Sequence, residues 1–274
     1  MTEFAVLPTP SGTRFRPVRL VAETGSTNAD LLAAAQAGQA EGAVLVTDHQ
    51  TAGRGRQQRV WHDEPGGSLL VSVLLRPDRR LAPLVPLVTG LAAVDAVAEI
   101  GHGVEVGLKW PNDVLSSEPA ERKLAGILAE ATTGAGPAPS ATAGAGSESA
   151  MAVVVGMGLN LRWVTAPPDE VVDRAVTLEE LAGAPIDRDA LLDAFLRGLE
   201  RWYGELERGG PVLDRYRARC VTIGREVRFV TSTGEVRGRA VGVAASGTLL
   251  LDTGRGTVEL HAGDAHHVSP PGPR

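Results

Sequence analysis

The chain has 274 residues, long enough for one large domain or one large and one small. Charged residues make up 22% and hydrophobic ones 43%, an ordinary globular balance; with aromatics at only 4%, the core must be built mainly from Ala, Val and Leu. A net charge of −6 argues against a broad basic face for nucleic acid, and the single cysteine, Cys220, excludes an intramolecular disulfide and a Cys-rich zinc site.

In chain order, residues 1–19 are Pro-rich and read as a lead-in. They lack the basic stretch and apolar run of a secretory signal. No segment is expected to approach the roughly 20 apolar residues of a membrane span. A soluble cytoplasmic protein without a membrane partner is therefore expected. Residues 18–21 fit a strand. Thr27 with Asp30 fits a capping box ahead of an Ala/Leu helix ending near Gly38. Residues 44–47 and 69–75 fit compact buried strands, with a polar Gly/Arg-rich loop over 48–67 between them. Residues 86–100 form an apolar helical pattern with Leu87, Leu91, Val94 and Ala98 on one face. Val104, Val106, Leu108 and Trp110 alternate as in a strand that Pro111 must end. Residues 124–130 and 152–161 fit two further strands, joined by an Ala/Gly/Pro/Ser/Thr-rich segment over 131–150 that reads as a flexible insertion. Thr177 with Glu180 fits a second capping box. Leu191, Leu192, Phe195, Leu199, Trp202, Tyr203 and Leu206 mark an amphipathic helix. After Cys220, short strands alternate with Gly turns, an all-β module marginal alone by its size and therefore expected to dock. The predicted division is 1–220 and 221–274.

Arg54, Arg56 and Arg59 share one loop with Gly53 and Gly55. Glycines let backbone N–H groups approach an anion, and guanidinium groups grip phosphate or carboxylate with forked, charge-assisted bonds. The loop is not a P-loop, because the terminal Gly-Lys-Ser/Thr is absent. Along 152–161, Gly156, Gly158 and Asn160 share one face, opposite Val155, Met157, Leu159 and Leu161. Such a face leaves a trough for a ligand or for tight packing of a helix. Lys109 and Asp113 flank a Trp110-Pro111-Asn112 corner, and Lys123 heads the next strand. Trp61 suits either a hydrophobic anchor for the Arg loop or a core residue. His49, His62, His102, His261, His266 and His267 lack metal-ligand spacing and read as non-ligands. No GxSxG elbow is present, so covalent nucleophilic catalysis is unsupported.

The order of these segments is more specific than any one of them. STN at 26–28, HQTAGRGR at 49–56, Trp61, GLKWPNDVL at 107–115, RKLAGILAE at 122–130 and VVVGMGLNL at 153–161 resemble the successive motifs of biotin protein ligases. The terminal β module resembles the family's small SH3-like domain, so the resemblance spans roughly 20–270. It implies an α+β fold: a central mixed β-sheet with helices packed on one side, plus a small C-terminal SH3-like β-barrel. It also implies two steps, formation of biotinyl-adenylate from biotin and ATP, then attack by a lysine of a biotin carboxyl carrier domain of an acyl-CoA carboxylase. By position, Ser26, Thr27, Asn28, Gln50, Gly53, Arg54, Gly55, Arg56, Lys123, Gly126, Gly156 and Gly158 would hold biotin. Arg56, Arg59, Trp61, Lys109, Asn112, Asp113, Lys123 and Asn160 would hold the nucleotide, with Lys123, Arg56 and Asp113 catalytic. Mg²⁺ would accompany ATP, with no ligand assigned to it. A homodimer is left open. Two departures stand out. Gln57 and Gln58 occupy positions where the family often has a basic residue and a glycine. About 25 residues precede Ser26, too few for the winged-helix DNA-binding domain of some members, so no nucleic-acid partner is expected. A lipoate-type ligase shares the implied fold and chemistry, but GRGR and KWPND favour biotin. A non-catalytic biotin sensor and a plain scaffold are the other readings.

Overall fold

The computed structural model describes residues 4–117, 121–133, 151–167, 171, 173–231, 234–261 and 264–268. Its larger sheet is built from β1 (Ala5–Leu7), β2 (Val18–Thr24), β3 (Val44–Gln50), β4 (Ser68–Leu75), β5 (Val106–Lys109), β6 (Asp113–Ser116), β7 (Lys123–Thr133) and β8 (Met151–Asn160). The spatial order is β1-β2-β3-β4-β8-β7-β6-β5. Only β2 and β3 pair in parallel; the other neighbours are antiparallel. The helices are α1 (Thr27–Gln36), α2 (Val85–Ile100), α3 (Leu178–Ala182), α4 (Arg188–Glu207) and α5 (Val212–Arg219).

Strand β4, SLLVSVLL, is buried at all eight positions and lies near the middle of the sheet, as a two-sided apolar strand must. Its Leu69, Val71, Val73 and Leu75 join Val153, Val155, Met157 and Leu159 of β8 beneath α2 and α4. Leu74 instead joins Val154, Leu45 and Val21 beneath Leu31 and Ala35 of α1. The expected α+β class with a mixed sheet is therefore present, with α2 and α4 on one face and α1 on the other. With only 10 residues, α1 covers part of its face. The uncovered part becomes the site described below.

Several expectations change. The lead-in is structured: Ala5–Leu7 pairs with β2, Phe15 is fully buried, and Arg14 forms ion pairs with Glu200 and Glu207 of α4. The Thr27–Asp30 capping box is absent. Ser26 is the N-cap, Thr27 lies inside α1 with its hydroxyl turned to Ser72, and Asp30 accepts from Thr24. A tertiary partner outcompetes the local one. The Thr177 cap does form and accepts from the Glu180 N–H at 3.1 Å. Contrary to expectation, the 19-residue stretch Ala82–Ile100 is long and apolar enough to cross a membrane, yet it is mostly buried as the core helix between sheet and α4. Ala131–Thr133 of the expected insertion extends β7; residues 134–150 lie outside the described residues.

The C-terminal strands are β9 (Glu226–Thr231), β10 (Gly234–Val243), β11 (Leu249–Asp252), β12 (Thr257–Leu260) and β13 (Asp264–His267). They form an antiparallel sheet ordered β12-β11-β10-β9-β13, which fits an SH3-like module. Its docking onto the β5–β6 hairpin is specific. Val221 N–H donates to Leu108 O at 2.9 Å, Trp110 N–H to the Thr222 hydroxyl at 3.0 Å, and the Trp110 indole N–H to Gly247 O at 2.9 Å. Trp110 also packs on Phe229, ring centroids 6.0 Å apart, so one apolar core runs through both parts.

Candidate active site

Where α1 stops covering the sheet, a cavity of about 520 Å³ opens. The alternation read along β8 explains its floor. Gly156 and Gly158 face the cavity, with Ser72 and Leu70 opposite them on β4 and Leu128 and Gly126 opposite them on β7. A Cβ at Gly158 would lie 2.6 Å from the Trp61 indole, and one at Gly156 would collide with Asn28 Oδ1, so neither position accepts a side chain without rearrangement. The trough is thus real, and Trp61 lies in it. The Trp61 indole N–H is buried with no acceptor among the described residues, a donor that costs stability until something pairs with it.

The GRGR segment is a small hairpin rather than an open loop. Trp61 N–H donates to Gly53 O at 3.0 Å and Gly55 N–H to Arg59 O at 2.7 Å, closing onto a 3₁₀ turn at Arg56–Gln58. Gln57 and Gln58 sit at φ 55° and 59°, left-handed values that favour glycine. The hairpin hangs over the cavity with Arg54, Arg56 and Arg59 among the lining residues.

The KWPND segment is the β5–β6 turn, in which Lys109 pairs with Asp113. It is fastened to β7 by Ile127 N–H donating to Asn112 O at 2.8 Å and the Asn112 amide donating to Ile127 O at 3.1 Å. Arg56 donates to Asn112 Oδ1 at 3.2 Å, linking hairpin to turn. The Lys123 ammonium is 2.8 Å from Asp113 Oδ1, an ion pair off hydrogen-bond geometry, and 5.5 Å from the centroid of the Trp61 ring. Among the described residues, Arg54, Arg56, Arg59, Lys109, Lys123 and Arg174 line the cavity with one carboxylate, Asp113. An acidic chain has thus collected positive charge at one concave place, where it attracts anions most strongly.

Ser26, Thr27, Asn28, Gln50, Arg54, Gly55, Arg56, Arg59, Trp61, Lys109, Asn112, Asp113, Lys123, Gly126, Gly156 and Gly158 all line this cavity. Gly53 and Asn160 do not. Gly53 supports the hairpin stem, where a Cβ would lie 2.7 Å from Trp61 O. Asn160 donates to Lys123 O at 3.3 Å and Val176 O at 3.1 Å, bracing the head of β7. Sequence reasoning missed Ser72, Arg174 and His266. A serine inside an apolar strand is a usable signal for the first. The other two arrive from distant segments by topology alone. Burial pushes the Cys220 thiol up, which keeps it protonated and unreactive. Among the described residues, no group of three or more His, Cys, Asp or Glu gathers to hold a metal.

A profile described as the Biotin/lipoate A/B protein ligase family matches residues 21–146, and one described as the biotin protein ligase C-terminal domain matches 222–268. These define the class: ligases of the biotin and lipoate type. The biotin–[acetyl-CoA-carboxylase] ligase of Mycobacterium tuberculosis is 40% identical over 267 residues, 94% of this chain and 91% of that protein. The bifunctional ligase/repressor BirA of Bacillus subtilis is 32% identical across 82% of this chain and 66% of its own. The biotin protein ligase of Aquifex aeolicus, solved in complex with biotin and ATP, superposes with a TM-score of 0.74 at 29% identity, covering 92% of this chain and 98% of that one. The chain belongs to the biotin protein ligase family, and it is a ligase enzyme.

Proposed function

We propose that this protein joins biotin to ATP as biotinyl-adenylate and passes the biotinyl group to a lysine of a biotin carboxyl carrier domain of an acyl-CoA carboxylase. The observation that carries this is the cavity's two-ended chemistry. One end offers neutral donors and acceptors: Ser26, Thr27, Asn28 and Gln50. The other offers Arg56, Lys109 and Lys123 around Asp113. The ureido ring of biotin needs paired donors and acceptors and suits the first end. A lipoyl dithiolane has no N–H donors and only weak sulfur acceptors to meet them. The M. tuberculosis relative's acceptor, acetyl-CoA carboxylase, supports the choice of partner.

In the first step a biotin carboxylate oxygen attacks the α-phosphorus, and the bond to the β-phosphate breaks with pyrophosphate leaving. Two anions must meet, so the step needs fixed positive charge where negative charge accumulates. Lys123 and Arg56 supply it without transferring a proton; Asp113 holds Lys123 in place. Arg59, Lys109, Asn112 and Trp61 hold the nucleotide. Gly126 and Gly158 leave room against the sheet for Trp61, and Gly156 for Asn28, so those two side chains are what the ligand meets there, and Asn160 acts through the backbone of Lys123. In the second step a lysine amine attacks the acyl carbon and AMP leaves. The donor set suits a Mg²⁺ brought in on the nucleotide rather than caged by protein, since Asp113 is the one lining carboxylate among the described residues. Such an ion, when bound, would further neutralise phosphate charge. The test is pyrophosphate release from ATP by the purified chain: release dependent on biotin and not replaced by lipoate supports the reading, and release indifferent to biotin contradicts it.

A further inference from the structure

Glu130 carries none of the roles above, yet it ends a continuous polar relay. Its Oε2 accepts from the Asn28 amide at 2.9 Å and from Arg54 of the GRGR hairpin at 3.1 Å. The Asn28 amide also donates to Leu128 O at 3.1 Å, so both partners of its nitrogen are acceptors and its orientation is fixed. Asn28 Oδ1 must then receive a proton, and the Ser72 hydroxyl supplies it at 2.7 Å. Ser72 has no second proton, so at 2.7 Å the Thr27 hydroxyl donates to Ser72. Its 3.2 Å approach to Gln50 Oε1 is the weaker option, since that oxygen already takes the Thr27 N–H at 2.9 Å. Thr27, Asn28 and Ser72 are all nearly fully buried, where such chains polarise one another and tolerate no missing partner.

We infer that Glu130 is a positioning residue that couples the two ends of this site. It aligns the donors Thr27, Ser72 and Asn28 in one direction, which leaves Thr27 Oγ1 as a pure acceptor towards the cavity. With the same oxygen it draws the arginine hairpin down over that cavity. The inference rests on the proposed biotin reading for what Thr27 meets: a ligand N–H at the ring end. The close packing agrees, because Gly156 leaves room for Asn28 Oδ1 only by lacking a side chain.

The test uses the full chain with Glu130→Gln, which keeps an acceptor for Asn28 but loses the charge, and Glu130→Ala, which loses both. In ligand-free protein, hydrogen exchange over residues 51–62 should rise about 3-fold for Gln and about 10-fold for Ala. In the pyrophosphate assay the biotin KM should rise in the same order, with kcat within about 2-fold of wild type. If Glu130→Ala is too unstable to study, the near-isosteric Gln variant still decides the matter. Wild-type exchange in the variants, or a fall in kcat with biotin KM unchanged, overturns the inference. If the hairpin loosens as expected while the wild-type chain ignores biotin, the relay stands and the functional reading fails.

Discussion

Lys123 is held from three sides. Its ammonium faces Asp113, its backbone bonds to Arg174 O at 2.6 Å and to Val176 N–H at 3.0 Å, and Asn160 grips its carbonyl. A lysine so restrained is a preorganised point charge, which stabilises a transition state without reorganising at the moment of reaction. Lys123→Ala should therefore reduce biotin-dependent pyrophosphate release on the order of 100-fold, while Lys123→Arg, which cannot reproduce a compact charge beside Asp113, should recover little. Near-normal release by the alanine variant would remove Lys123 from the chemistry.

At the scale of elements, the GRGR hairpin carries its own strain. Two successive glutamines in the left-handed region cost about 1–2 kcal/mol each. Gln58→Gly should relieve that, less about 0.5–1 kcal/mol for glycine's freedom in the unfolded chain, and raise Tm by about 1–3 °C. A Tm lowered by a similar amount would show that the turn is not strained. The same hairpin shows what was legible in sequence. The alternation of Gly156 and Gly158 with Val155 and Met157 gave away the floor, because period two survives any tertiary context. Thr177 was a legible cap because Glu180 is its local partner. Thr27 was misleading because Ser72, 45 residues on, competes for its hydroxyl. The three-residue β1 was hidden among prolines. The four-residue β6 and β13 and the eight-residue α5 are too short to show a period, and β13 pairs with the distant β9. The arginine motif showed which charges matter, whereas the hairpin geometry and the place of Arg174 depend on topology.

For the whole molecule, the C-terminal sheet is part of the site, since Ala265 and His266 line the cavity. Beside them His267 contacts the Thr222 hydroxyl at 3.1 Å and Glu121 at 3.2 Å. Burial holds the His267 imidazole below its ordinary 6.5; the Glu121 hydrogen bond opposes this, and the charges of Lys109 and Arg225 add to it. A histidine whose folded value is depressed contributes stability that is complete above the unfolded value and is lost as pH falls from there through the folded value. Acidification below about 6.5 should thus loosen the docking of the small sheet. Wild-type Tm should fall more steeply than that of His267→Gln between about pH 7 and pH 5. Parallel curves would place the acid sensitivity elsewhere.

On the proposed reading, a single cavity makes and then hands on an activated biotin. A chase experiment tests it most directly. The protein is incubated with labelled biotin, ATP and Mg²⁺, separated from free nucleotide and biotin, and mixed with a biotin carboxyl carrier domain. Label is predicted to stay with the protein through the separation, as the adenylate beneath the GRGR hairpin. It then moves to one lysine of the carrier domain with no further ATP. Label that never stays bound, or that stays bound but does not move to the carrier domain, would contradict it.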